Sequence, residues 1–92
     1  TKPKPEIEAM LYPNPFTDMI YIELDNQDFE FETFVIEIFN MTGTKVKTME
    51  SVIYNLKIRI PANDLSQGMY VIQIKQKHKS AFVEQKYKAL KL

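Results

Sequence analysis

Leu65-Ser66-Gln67-Gly68-Met69-Tyr70-Val71-Ile72-Gln73-Ile74 is the stretch from which the rest of the chain can be read. It combines a turn, one of only two glycines in the sequence, and a strand whose Tyr70, Ile72 and Ile74 fall on one face. Gly68, directly ahead of that strand, frees the backbone for conformations other residues avoid. A Leu-x-x-Gly-x-Tyr run before an apolar strand is the local pattern of a tyrosine corner, where the phenol hydroxyl reaches back to the backbone a few residues upstream and pins the crossing between two sheets. The need is chemical: a buried phenol requires a partner, and the bend before it carries backbone carbonyls without one.

Moving upstream, Tyr54 to Ile60 alternates, which predicts a strand with Tyr54, Leu56, Ile58 and Ile60 inward and Asn55, Lys57 and Arg59 outward, ended by Pro61. Phe34 to Phe39 is dense in β-formers and predicts a central strand. Asn40-Met41-Thr42-Gly43 closes it as a turn, Gly43 supplying a positive φ, and Thr44 to Met49 returns. Met19 to Leu24 places Ile20, Ile22 and Leu24 on one face, followed by the turn cluster Asp25 to Asp28. Phe29-Glu30-Phe31-Glu32 reads as a loop edge or the start of a longer strand. Ile7 to Leu11 predicts a short first strand that runs into Tyr12-Pro13-Asn14-Pro15. There the prolines remove two backbone donors and Asn14 can accept from the backbone as in an Asx-turn, a local strand-to-strand break.

Downstream, Lys75 to Ser80 reads as a basic hairpin tip. Ala81 to Leu92 has mixed parity, with Val83, Tyr87 and Ala89 on one count and Leu90 and Leu92 on the other, which a bulge would reconcile. Thr1-Lys2-Pro3-Lys4-Pro5 has the composition of an extended linker. Residues 1–6 are therefore expected to be a linker remnant from an upstream domain, and residues 7–92 the folded unit. About seven short strands and no amphipathic helix predict an all-β, immunoglobulin-like antiparallel β-sandwich.

Composition narrows function further. Net charge is zero, yet residues 1–50 hold four basic and ten acidic side chains, a net of −6, and residues 51–92 hold eight and two, a net of +6. With no cysteine there is no disulfide, thiol nucleophile or thiolate metal site. No apolar run approaches the roughly 18 residues of a membrane span. His78, the single histidine, lies among lysines on the expected tip and reads as solvated, so no catalytic site, metal or cofactor is expected. The acidic pairs Asp25/Asp28 and Glu30/Glu32 read as solvated loop carboxylates. The six lysines from Lys75 to Lys91 invite a nucleic-acid reading, but Lys86, Lys88 and Lys91 interleave with Tyr87, Ala89, Leu90 and Leu92, as in a half-buried edge strand protected by lysines. No nucleic acid and no direct membrane span are expected.

Four landmarks in order resemble the C-terminal sorting domain of type IX secretion (the Por system) of Bacteroidota, type A. Leu11-Tyr12-Pro13-Asn14-Pro15-Phe16 looks like the family's opening Tyr-Pro-Asn-Pro signature. Ile38 to Val46, including Gly43 and Lys45, is similar to its apolar-x-Asp-x-x-Gly-Lys-apolar hairpin, with Asn40 in place of the acidic residue and Thr44 intervening before Lys45. Leu65, Gly68 and Tyr70 match its Leu-x-x-Gly-x-Tyr strand, and Lys86-Tyr87-Lys88-Ala89-Leu90-Lys91-Leu92 looks like its basic, apolar terminal strand.

The resemblance implies a non-enzymatic sorting signal, fused behind a larger N-terminal cargo that passes through the periplasm and reaches the cell surface or the medium. It also implies recognition by the secretion machinery and removal by a surface sortase. Lys86 to Leu92 is the expected contact, read either as a strand, by strand addition, or as a face. A different class remains open from the residues alone: a non-catalytic immunoglobulin-like structural or carbohydrate-binding module of a secreted enzyme.

Overall fold

The computed structural model describes residues 9–77 and 84–92. The expected linker, Ile7, and the basic tip with His78 and Val83 lie outside the described residues. Seven strands form: β1 (Ala9–Tyr12), β2 (Met19–Leu24), β3 (Thr33–Asn40), β4 (Lys45–Val52), β5 (Lys57–Pro61), β6 (Gly68–Gln76) and β7 (Glu84–Lys91). Antiparallel pairing joins them into a three-stranded sheet, β1-β2-β5, and a four-stranded sheet, β4-β3-β6-β7. This is the immunoglobulin-like sandwich expected from the strand pattern.

Period-two alternation sets the core. Ile20, Ile22 and Leu24 of β2 and Ile58 and Ile60 of β5 face Phe34, Ile36 and Ile38 of β3 and Tyr70, Ile72 and Ile74 of β6, all buried. Each fully buried isoleucine or phenylalanine contributes roughly 1.5–3 kcal/mol. β3 is central, as its apolar density predicts, and a bulge between Ile38 and Phe39 shifts its register against β4. The corner is also as expected: the Tyr70 hydroxyl donates to the Ser66 carbonyl at 2.7 Å, and Gly68 has φ +148°.

Two expectations are corrected, and one open alternative is decided. The strand expected from Tyr54 begins at Lys57, and Tyr54 points to solvent. Asn55 and Leu56 take φ +57° and +55°, and Lys57 N–H donates to the Tyr54 carbonyl at 3.2 Å. Two consecutive left-handed residues make a tight turn, so the parity of β5 does not extend back through them. Of the two readings of Phe29 to Glu32, the loop edge is the one that forms: Gln27–Phe29 is a 3-10 turn capped by Asn26, whose side chain accepts from Asp28 N–H at 2.8 Å. Phe29 turns inward, edge-on to Phe34 at 5.7 Å.

The second correction concerns β7. Its register with β6 runs unbroken from Gly68↔Lys91 to Lys75↔Glu84, with no bulge. Odd-numbered residues therefore face inward throughout: Ala89 and Lys91 are buried, and Leu92 is exposed. Lys91 is accommodated because its aliphatic stem lies against the sheet while its ammonium donates to the Leu92 carbonyl at 3.3 Å.

Candidate functional site

Strand register defines two ends of the sandwich. Ala9, the first described residue, pairs with Leu24, whose N–H donates to the Leu56 carbonyl at 2.8 Å. That is the lower end. Tyr12, the β3–β4 turn, the start of β6 and the last residues of β7 lie at the upper end, where Asn40 pairs with Tyr70 and Tyr70 with Ala89.

The segment between β1 and β2 does more there than break a strand. The Asn14 side-chain amide donates to the Lys88 carbonyl at 3.2 Å and accepts from Leu90 N–H at 3.0 Å. Phe16 N–H donates to the Leu90 carbonyl at 2.8 Å, and Leu92 N–H donates to the Phe16 carbonyl at 2.9 Å. A side-chain amide thus stands in for a peptide group in a short parallel pairing along the outer edge of β7, anchored by the fully buried ring of Phe16. An edge strand is normally open to strand addition. From Lys88 to Leu92 this edge is already taken, so of the two expected modes strand addition would have to displace the Asn14–Phe16 segment. Tyr12 stacks on Tyr21 at 5.6 Å and donates its hydroxyl to Glu23 at 3.2 Å, while Pro13 and Pro15 are exposed.

The β3–β4 turn is organised by Asn40. Its side-chain oxygen accepts from Thr42 N–H at 3.1 Å, the Thr42 hydroxyl at 2.8 Å and Thr44 N–H at 3.0 Å, around Gly43 at φ +88°. An acidic residue would offer the same acceptor, which explains why asparagine can stand there. Lys45 and Lys75 both approach Glu37, at 3.3 and 3.8 Å. Lys47 binds Asp64 at 3.0 Å and holds its carboxyl below the ordinary value.

The terminal strand divides by parity. Lys86 and Lys88 project from the outer face of the four-stranded sheet, opposite Gln73 and Val71, with Leu90 opposite Met69. Phe39 pairs with Val71 and completes an apolar row beside them, with exposed Met41 and Met69 at the margin. A shallow depression of about 320 Å³ opens between Phe39, Met41, Val71 and Lys86. Among the described residues neither Lys86 nor Lys88 has an ion-pair partner, unlike Lys45, Lys47, Lys75 and Lys77. Tyr87, Ala89 and Lys91 turn inward, and burial pushes the Tyr87 phenol above its ordinary value.

The structure therefore gathers Tyr12 to Pro15, Gly43 and Lys45, Leu65, Gly68 and Tyr70, and Lys88 to Leu92 at one end, with Lys86 just below on β7. Phe16, Phe39 and Val71 belong to the same assembly and were not singled out from the sequence. The apolar residue following the second proline was the available signal for Phe16. Among the described residues there is no cluster of three or more His, Cys, Asp or Glu side chains able to hold a metal, and no helix is long and apolar enough to cross a membrane.

No curated protein matches the chain. The sequence model of the secretion system C-terminal sorting domain matches residues 10–86, from β1 into β7. The chain belongs to the type IX secretion C-terminal sorting domain family.

Proposed function

We propose that this domain directs a larger protein, fused to its N-terminal side through residues 1–6, across the outer membrane, and that the secretion machinery reads its upper end. The supporting observation is convergence: four family landmarks, far apart in sequence, share one end of the sandwich, and the chain comes in at the other. A cargo attached below leaves that end accessible. Within it, the exposed Lys86 and Lys88, without an ion-pair partner among the described residues, lie beside Phe39, Val71 and Leu90 and offer a basic rim on an apolar patch, complementary to an acidic partner surface. Recognition then uses the face of β7 rather than its edge, with Tyr87, Ala89 and Lys91 holding the strand in place from behind. The domain does no chemistry itself; it passes through the periplasm, and a surface sortase removes it.

The test is residues 1–92 fused behind a signal-bearing periplasmic reporter in a host that possesses this system. Deleting Lys86 to Leu92 would strip β7 from β6 and confuse recognition with unfolding. The double change Lys86→Glu and Lys88→Glu instead reverses charge at two exposed positions. Surface delivery should fall by about tenfold or more while the reporter accumulates, folded, in the periplasm. Delivery equal to the parent would refute the assignment of the β7 face.

A further inference from the structure

The lower end of the sandwich, remote from the sorting landmarks, carries two exposed aromatic rings. Phe31 is 69% exposed and Tyr54 59%, with centroids 6.4 Å apart and planes inclined at 52°. The three described non-glycine residues at positive φ, Phe31 at +66°, Asn55 at +57° and Leu56 at +55°, all lie in the two loops that carry these rings. A bulky residue at positive φ is an outlier, and such strain collects at ligand-binding sites when the surroundings hold it in place.

Here they do. Phe31 N–H donates to the Ile53 carbonyl at 2.9 Å, and Ile53 N–H donates to the Glu32 carbonyl at 2.8 Å. The Glu30 carboxylate accepts from Asn55 N–H at 2.9 Å and Leu56 N–H at 2.8 Å. Glycine at position 31 would satisfy the backbone better and expose less apolar surface, so the packing of the domain does not account for the ring.

Glu30 and Asn55, the sequence neighbours of the two rings, line an open cleft of about 430 Å³ together with Gln27 and Leu56. The side-chain amides of Gln27 and Asn55 have no partner among the described residues, so each presents two donors and an acceptor. Aromatic faces beside unengaged planar amides suit a sugar: the C–H face of a pyranose lies on a ring, and its hydroxyls exchange hydrogen bonds with the amides. Asp25, Asp28, Glu30 and Glu32 in the adjoining segment disfavour an anionic one. A protein partner for two exposed rings would favour an apolar surround, and three of the four residues that line this cleft, Gln27, Glu30 and Asn55, carry polar side chains.

We propose that Phe31 and Tyr54 form a platform for a neutral oligosaccharide, with Gln27 and Asn55 as its hydrogen-bonding partners. This site is independent of the sorting role and lies at the other end of the domain.

The 92-residue chain is titrated by NMR with cellohexaose, maltohexaose and mannohexaose, and with trigalacturonate as the anionic control. At least one neutral hexaose should shift resonances of residues 27, 31, 54 and 55, and Tyr54→Ala should weaken that binding by about tenfold or more. Phe31→Gly should weaken it similarly while raising the urea midpoint, because glycine relaxes φ +66°; the loss then cannot be unfolding. Lys86→Glu should leave it unchanged. The proposal is overturned if no neutral hexaose binds, if trigalacturonate binds more tightly, or if Phe31→Gly binds like the parent. A photo-crosslinker at position 31 that traps a protein, with the hexaoses inert, would reassign the platform to a protein partner.

Discussion

Asn14→Ala tests the seam along β7 most directly. The substitution removes two hydrogen bonds, to the Lys88 carbonyl at 3.2 Å and from Leu90 N–H at 3.0 Å. Each is worth about 0.5–1.5 kcal/mol, and because both freed backbone groups can turn to water, no large burial penalty is added. The expected loss is about 1–2 kcal/mol, or roughly 5–15 °C in Tm for a domain of this size. Urea unfolding followed by tyrosine fluorescence measures the global effect, and amide exchange at Leu90 the local one, which should speed up more than exchange in β3.

Asn14→Asp separates the two halves of the contact. Its carboxyl still accepts from Leu90 N–H but, when ionised, sets an oxygen against the Lys88 carbonyl oxygen. Protonated, it can donate there. The repulsion raises its folded pKa above the unfolded value of about 3.9, so its stabilising contribution is complete below that pH and is lost as pH rises through the folded pKa. The variant should approach the parent at pH 3 and fall clearly below it at pH 7. An Asn14→Ala midpoint and Leu90 exchange rate both equal to the parent's would refute the seam.

Three further outcomes are expected. Tyr70→Phe loses the bond to the Ser66 carbonyl and should cost about 0.5–1.5 kcal/mol in urea unfolding; an unchanged midpoint would remove the corner as an anchor. Asn40→Ala should cost about 1–2 kcal/mol by removing the acceptor at the centre of the β3–β4 turn, whereas Asn40→Asp should stay within about 0.5 kcal/mol of the parent. Burial holds the folded Tyr87 phenol above 10.0, so its contribution is present below pH 10.0 and is lost as pH rises through the folded pKa. Absorbance at about 295 nm should show one tyrosine ionising late, and Tyr87→Phe should remove both that step and its share of the alkaline destabilisation.

Residues whose environment is set by their own strand were readable in advance. The faces of β2, β3 and β6 follow from alternation, and the Tyr70 corner from the glycine and tyrosine that make it. Asn55 suits the first position of a left-handed turn, but Leu56 occupies the place where glycine is usual, so the segment keeps the look of a strand. Lys91 keeps the inward parity of Tyr87 and Ala89 because a long cationic side chain can be buried along its stem, and Leu92 is left outside. Tyr12 to Pro15 could be recognised as a motif but not understood locally, since the partners of Asn14 lie 74 and 76 residues away. The expected linker and basic tip fall outside the described residues and stay as expectations.

The separation between Asn14 and its partners bears on synthesis as well as stability. Ribosomes make the chain from the N-terminus, so Asn14 and Phe16 emerge long before their backbone partners on β7 exist. Lys88 to Leu92 supply those partners, and β7 itself closes the row that begins at Asn40 and Tyr70. A product truncated anywhere ahead of Lys88 cannot assemble the upper end. If that end is what the export apparatus inspects, the fold doubles as a completeness check, withholding passage from unfinished polypeptides without any separate surveillance factor.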